Sequence, residues 1–374
     1  MSENFTPTIG IVQRTRKSPY FDATVRAGVK GFSVYNHMLM PIFYDSPQAD
    51  YWHLINNVTM WDVAVERQVE ITGPDAHTLV QYMTPRNLSK CKVGQCKYVP
   101  IIDENGGVLN DPVLLKLAEN HYWLSLADSD ILLYAKGLAN GHGWDVEITE
   151  PDVSPLAIQG PNWLPVAQKL FGDWITKLRF FRFKEVELEG IPLIVARSGW
   201  SKQGGLELYL RDGQYGTKLW ELVEAAGAEY GIKPATPSTI ERIESGLLSY
   251  GNDMTIDENP YEVNLGKYCD LDQEADFIGK EALKKIVAKG ITRAGVGLII
   301  ETDGEISNQE FWPILNDAGE RVGKVTSAVY SPRLKKNIAL AVVDSTYTAV
   351  DTQLKTETPT GQIYSVTVHK LPFI

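Results

Sequence analysis

Apolar and polar residues alternate with a period of two along Arg67-Gln68-Val69-Glu70-Ile71-Thr72, which predicts a strand. Gly73-Pro74-Asp75-Ala76 then turns the chain into a helix reaching about Met83. Residues 98–102 form an apolar run, and Asp103-Glu104-Asn105-Gly106-Gly107 supplies the Asn-Gly signal of a hairpin, so 108–117 reads as the return strand. A second turn at Glu119-Asn120 leads into a strand at 121–126. Asp128 or Ser129 is expected to cap a helix carrying Ile131, Leu132, Tyr134, Ala135 and Leu138 and ending at Gly141. Ile158-Gln159-Gly160-Pro161-Asn162 then repeats the order strand, Gly-Pro-Asx, helix, with Leu164, Val166, Ala167 and Leu170 on the apolar stripe. The likeness of the two units predicts an internal duplication of a sheet-plus-helix unit. Helical spacing recurs over 215–228, and again from Ser238 through Ile240, Ile243, Leu247 and Leu248. After Gly290 strands dominate, at 294–300, 323–330, 338–343 and 363–368. The expected fold is α+β, with a first unit at 1–150, a second at 151–289 and a barrel-like β domain at 290–374. Arg333, Lys335 and Lys336 fall in one of that domain's turns and read as solvated.

Length agrees with this division, since 374 residues exceed one small domain. With 44% hydrophobic and 22% charged residues the chain reads as globular. A net charge of -11 argues against nucleic acid as a main partner, because phosphate binding needs clustered Lys and Arg. Cys91, Cys96 and Cys269 form no Cys-x-x-Cys pair, so neither a metal site nor a disulfide framework is expected, and a reduced cytoplasm is the simplest compartment. Met1-Ser2-Glu3-Asn4-Phe5-Thr6-Pro7 lacks the pattern of a signal peptide, and no apolar run suits a membrane span. A homodimer stays open.

Candidate chemistry concentrates in residues 196–209. A Ser/Gly/Lys turn carrying Trp200 joins a strand end where Leu206 and Leu208 face one way and Glu207 and Tyr209 the other. Glu207 can accept two parallel hydrogen bonds from an amidine-like edge while Tyr209 and Trp200 cover ring faces; a solvated outer-face Glu is the other reading. Asp111, in Asn110-Asp111-Pro112, stands in an apolar strand and is either paired, turn-forming or facing a ligand. Arg242 is offset from the apolar stripe of its helix, and either clamps a carboxylate or pairs with Glu241 or Glu244 on the surface. His37, in Tyr35-Asn36-His37-Met38, reads as structural. No Walker loop, Gly-x-Ser-x-Gly, His-x-x-x-His or Gly-x-Gly-x-x-Gly is found, which leaves kinase, serine hydrolase, metal hydrolase and dehydrogenase readings without support.

Several motifs together carry a resemblance to a known family. They are Trp61-Asp62-Val63, Gly73-Pro74-Asp75-Ala76, Asn110-Asp111-Pro112, Ile158-Gln159-Gly160-Pro161, Arg197-Ser198-Gly199 through Gly205 and Glu207, and Arg242-Ile243-Glu244 through Tyr250-Gly251-Asn252-Asp253. Phe277-Ile278-Gly279-Lys280, Gly323-Lys324-Val325-Thr326-Ser327 and Ser331-Pro332 continue it. In this order, along nearly the whole chain, they resemble the folate-dependent glycine-cleavage T-protein (aminomethyltransferase) family. Tyr35-Asn36-His37-Met38, Val63 through Glu70 and the turn at Ser198 through Gly205 resemble a branch that demethylates a sulfonium acid; Leu206 stands where that branch often has an aromatic.

The resemblance implies a three-domain fold with folate in a central channel and tetrahydrofolate as methyl acceptor. It implies that Glu207 binds the pterin edge, that Tyr98, Val113 and Tyr209 line the folate, and that Arg242 holds its benzoyl-glutamate end. Asp111 would stand near the reacting nitrogen, with Trp200 and Tyr35 around the onium group. The implied donor is a small onium compound, dimethylsulfoniopropionate, with glycine betaine, dimethylglycine or another methylated amine as alternatives, and a folate-binding aminomethyltransferase-like protein as a further one. Arg14, Arg16, Lys17 and Lys202 are candidates for the donor's carboxylate.

Overall fold

A computed structural model describes residues 11–374. The stretch Met1 to Pro7, read above as no signal peptide, lies outside the described residues. Two mixed layers of sheet and helix meet a closed barrel. The first sheet has five strands in the order Glu147–Thr149, Gln68–Thr72, His121–Ser125, Val113–Ala118 and Gln95–Tyr98. The second has six, in the order Phe183–Leu188, Ile191–Ala196, Gly205–Leu210, Ser154–Gln159, Val58–Asp62 and Ile232–Ala235. Its last pairing, Ile232–Ala235 against Val58–Asp62, is parallel. The barrel closes through Arg293–Glu301, Lys336–Asp344, Arg321–Ser331, Trp312–Leu315, Gln353–Glu357 and Ile363–His369. Among the described residues no helix is long and apolar enough to cross a membrane.

The repeated strand-to-helix turns have one physical cause. Gln68–Thr72 passes through Gly73 into helix Ala76–Tyr82, and Ser154–Gln159 passes through Gly160 into helix Trp163–Phe171. Both glycines have φ in the left-handed half of the map, +118° and +124°. A Cβ on Gly73 would stand 2.7 Å from the Asp145 carbonyl oxygen, and one on Gly160 would stand 2.5 Å from that of Asn57. Each helix thereby folds back over its own sheet. Leu206, Leu208 and Leu210 bury in the core of the six-stranded sheet with Val166, Ala167, Leu219 and Trp220.

Several elements differ from the expected ones. The strand expected at 98–102 breaks into Gln95–Tyr98 and Ile101–Ile102, and the return strand breaks into Val108–Asn110 and Val113–Ala118. Pro100 and Pro112 offer no N–H to a ladder, and the Asn110 side chain accepts the Asp111 N–H at 2.9 Å instead. The helix over 131–142 has no side-chain cap. Asp128 accepts the Asn36 N–H at 2.7 Å, and Ser129 donates to the Leu109 carbonyl. The helix expected through Leu248 is only Thr239–Glu244, capped by Ser238, because Gly246 takes φ +65° and turns the chain away. Arg333 is not simply solvated: it pairs with the buried Glu244. Short strands Trp312–Leu315 and Gln353–Glu357 complete the barrel.

Gly160→Ala is expected to cost at least about 2 kcal/mol of unfolding free energy, from positive-φ strain plus displacement of the Asn57 carbonyl. The urea midpoint measures it, and Gly172→Ala is the control, with positive φ but nothing within 4 Å of its Cβ.

Candidate active site

One cavity of about 2230 Å³ opens between the two sheets, the Thr239–Glu244 helix and the barrel. Its wall carries Tyr35, Glu66, Tyr98, Asp111, Val113, Ser125, Ser198, Trp200, Lys202, Glu207 and Arg242. These residues come from distant parts of the chain, and most are held by bonds that can be named.

Tyr35 stands at the end of hairpin strand Gly31–Tyr35, which pairs with Met38–Phe43. Asn36 and His37 make the turn with φ of +46° and +58°, the paired positive values of a tight hairpin. The Asn36 amide donates to the Val65 carbonyl at 2.9 Å and to the Ala127 carbonyl at 3.1 Å, pinning the hairpin to two loops and turning Tyr35 to the cavity. His37 stays outside, exposed and 3.8 Å from Asp130.

Tyr98, Val113 and Ser125 lie in register across neighbouring strands. The Tyr98 hydroxyl donates to Asp111 Oδ2 at 2.6 Å, so the aspartate's pairing and its facing of the cavity hold together. Burial pushes the Asp111 carboxyl up to about 7; the Tyr98 bond pulls it back, and Asp253 adds repulsion.

Glu207 is buried at 5% exposure, so the solvated reading does not apply. Its carboxyl accepts from the Ser198 hydroxyl and, at 3.1 Å, from the Tyr209 hydroxyl. Burial raises its proton affinity while those two bonds oppose the rise. Tyr209, expected as a folate-lining ring, is not among the residues that line the cavity. It is fully buried with Trp123, Cys96 and Phe183, and its hydroxyl bonds Glu207. The alternation that turns Glu207 outward carries Leu206 into the opposite core, away from the cavity wall.

Arg242 is buried as well, and neither surface pairing considered for it forms. Its Nη1 donates to Asp253 at 2.6 Å and to the Leu247 carbonyl at 3.3 Å, and Nη2 donates to Ser327 at 2.7 Å. Its charge is thus met by Asp253 within the protein, and what it presents beside Trp200 is its remaining N–H groups; Cζ lies 5.8 Å from the indole centroid. Of the four cations considered for a ligand carboxylate, Lys202 alone lines the cavity. Arg16 pairs with Glu150, Lys17 lies over Phe21 at 4.4 Å, and Arg14 is exposed.

Glu66, Ser125 and Ser198 were not singled out from the sequence. Glu66 ends the run Val63-Ala64-Val65, where a lone acid looks like a solvated turn residue. Its place in the same cavity lining as Glu207 depends on the packing of separate strands.

Comparison with known proteins bears on this arrangement. Residues 20–273 match the GCVT N-terminal domain, and 293–374 match the glycine cleavage T-protein C-terminal barrel domain. The chain is 49% identical over 350 residues to dimethylsulfoniopropionate demethylase DmdA of Ruegeria pomeroyi, covering 93% of this chain and 95% of that protein. It is 31% identical over 358 residues to an aminomethyltransferase of Bacillus mycoides, covering 94% and 96% of the two chains. In fold it superposes on the glycine cleavage system aminomethyltransferase T from Bartonella henselae with a TM-score of 0.85 at 24% identity, over 96% of this chain and 98% of that one. The expected α+β architecture with a C-terminal barrel is therefore shared with a solved structure.

A carboxyl raised from 3.8 to about 7 binds its proton more tightly folded than unfolded, so stability falls as pH rises from about 4 to about 7. Asp111→Asn is expected to remove that loss, gaining on the order of 2 kcal/mol at pH 8 and nothing at pH 3.5, a discounted figure because the carboxyl borders an open cavity. Denaturant midpoints at the two pH values check it.

Proposed function

The chain belongs to the glycine-cleavage T-protein (aminomethyltransferase) family, and on that footing we propose that it transfers a methyl group from dimethylsulfoniopropionate to tetrahydrofolate, giving 3-(methylthio)propionate and 5-methyltetrahydrofolate. The observation that carries this reading is the single cavity wall on which Glu207 and Asp111 stand with the rings of Tyr35, Tyr98 and Trp200. No Lys, Arg or His among the described residues forms an ion pair with either carboxyl. Such a wall favours a ligand edge rich in N–H donors and a second ligand bearing positive charge. The identity to a protein named for this donor supports the choice of a sulfonium.

Tetrahydrofolate, when bound, supplies the N5 nucleophile: the N5–C bond forms as the C–S bond breaks, the electron pair leaves with the neutral thioether sulfur, and the N5 proton is released. Glu207, held by Ser198 and Tyr209, would accept hydrogen bonds from the pterin edge. Tyr98 and Val113 would flank the folate, and the free N–H groups of Arg242 would meet its benzoyl-glutamate end. Tyr35 and Trp200 would enclose the onium, each aromatic contact adding roughly 0.5–2 kcal/mol, and Lys202 would meet the donor's carboxylate. Asp111 would favour the charge arriving at N5 and accept its proton, a task suited to a group titrating near 7. The enzyme's work is mainly positioning and the exclusion of water.

Anaerobic turnover with tetrahydrofolate and each of dimethylsulfoniopropionate, glycine betaine and dimethylglycine tests the proposal. Methyl-tetrahydrofolate is expected only with the sulfonium; formation only with an ammonium or amine would move the donor, and none with any would end the demethylase reading. Turnover is expected to rise with pH as Asp111 ionises near 7. Tyr98→Phe removes the bond that favours the ionised form, so its pH–kcat limb should move to higher pH, with kcat at pH 7 lowered by about tenfold.

A further inference from the structure

Glu66 faces the same cavity and has no part in the reaction as just described. It sits in a turn held on every side. The Glu66 N–H donates to the Val63 carbonyl at 2.9 Å, and the Gln68 amide donates to the Glu66 carbonyl at 2.6 Å. Arg67, beneath it, donates to the Ala64, Val153 and Pro151 carbonyls and pairs with Glu150. The turn is therefore a built support, not a loose loop.

The carboxyl's surroundings are equally specific. Ser125 Oγ accepts the Gln68 Nε2 hydrogen at 3.0 Å, which leaves the serine's own hydrogen to turn toward the cavity that Ser125 and Glu66 both line. Glu66, Glu207 and Asp111 line the same cavity, and burial first, then the charges of Glu207 and Asp111, raise the Glu66 carboxyl's hold on its proton. Among the described residues no cation pairs with Glu66, and no group of three or more His, Cys, Asp or Glu is arranged to hold a metal ion. Two neighbouring carboxyls in a poorly solvated wall do not both ionise. One remains an acceptor only, and the other, keeping its proton, both donates and accepts. The matching ligand edge presents a row of N–H donors interrupted by one acceptor. A reduced pterin has that row along N3–H, the 2-amino group, N1 and N8–H.

We infer that Glu66 is a second pterin-recognising residue, set beside Glu207 so that the two carboxyls grip adjacent stretches of one hydrogen-bonding edge. This rests on the demethylase reading only in taking tetrahydrofolate as the ligand. Glu207 takes the N–H groups at the 2-amino end, and Glu66 donates to the ring nitrogen beside it and accepts from the next N–H.

Tetrahydrofolate affinity, read anaerobically by tryptophan fluorescence with no methyl donor present, tests this in wild type, Glu66→Gln and Glu66→Met. The KM for dimethylsulfoniopropionate is measured alongside, and melting curves verify folding. Glu66→Met should weaken tetrahydrofolate binding about tenfold or more, while Glu66→Gln, which keeps a donor and an acceptor, should stay within about threefold of wild type. The sulfonium KM, at saturating tetrahydrofolate, should stay within about twofold in both. Glu66→Ala, which asks nothing of the surrounding packing, repeats the Met measurement. Unchanged tetrahydrofolate affinity in the Met and Ala variants overturns the inference. So does a raised sulfonium KM in the Gln and Met variants with unchanged tetrahydrofolate affinity, which would make Glu66 the counter-charge of the onium. Both results leave the demethylase reading standing, whereas wild-type protein that binds no tetrahydrofolate would remove both.

Discussion

Three charged side chains on a helix of six residues hold this molecule together. Glu241, Arg242 and Glu244, on Thr239–Glu244, are all buried, and each is answered by a different part of the chain. Glu241 accepts from the Lys202 N–H, the Gln203 amide and the Ser245 hydroxyl, which ties it to the turn before Glu207. Arg242 reaches Asp253 and the barrel's Ser327. Glu244 accepts from Tyr51, Ser331 and Arg333. Buried charges are tolerated only when paired and hydrogen-bonded, so each of these contacts sets a geometry that sliding of the units would break. The cavity lies where the same units meet, and its shape is a by-product of that pairing.

The opposite rule governs the cavity wall. Asp111 and Glu207 have hydroxyl partners, Tyr98, Ser198 and Tyr209, and among the described residues neither they nor Glu66 pairs with a cation. Hydroxyls orient a carboxyl without neutralising it. The wall therefore keeps an unspent preference for donors and positive charge, while at the structural junction Asp253 and Glu244 are closed off by Arg242 and Arg333, and Glu241 is met by N–H and hydroxyl donors alone.

What was legible in the sequence follows the range of the interactions involved. The opposite facing of Glu207 and Leu206 is a period-two consequence of adjacent residues, and it could be read directly. Gly73 and Gly160 announced their turns because each sits between a strand pattern and a helix pattern. The interruption at Asp111-Pro112 was present as a proline but was overridden by the apolar run around it. Arg242 could not be read, because its partners Asp253 and Ser327 lie 11 and 85 residues away. Tyr209 was legible as a neighbour of Glu207 on the same face but not as fully buried, since Trp123 of the five-stranded sheet covers that face. The barrel's strands at Trp312–Leu315 and Gln353–Glu357 are four and five residues long, too short to announce themselves by periodicity.

Asp111 hangs in the gap between Val108–Asn110, which pairs with Ile101–Ile102, and Val113–Ala118, which belongs to the five-stranded sheet. Neither ladder includes it, and its N–H is met by the neighbouring Asn110 side chain. Its backbone is thus outside both ladders, and the Tyr98 hydroxyl alone ties its side chain to the five-stranded sheet. Exchange there changes the chemistry of the cavity wall without unpicking a strand. A scaffold that mounts a cavity-facing carboxyl on such a gap can be diversified at that one point, by selection or by a designer, while the frame stays the same.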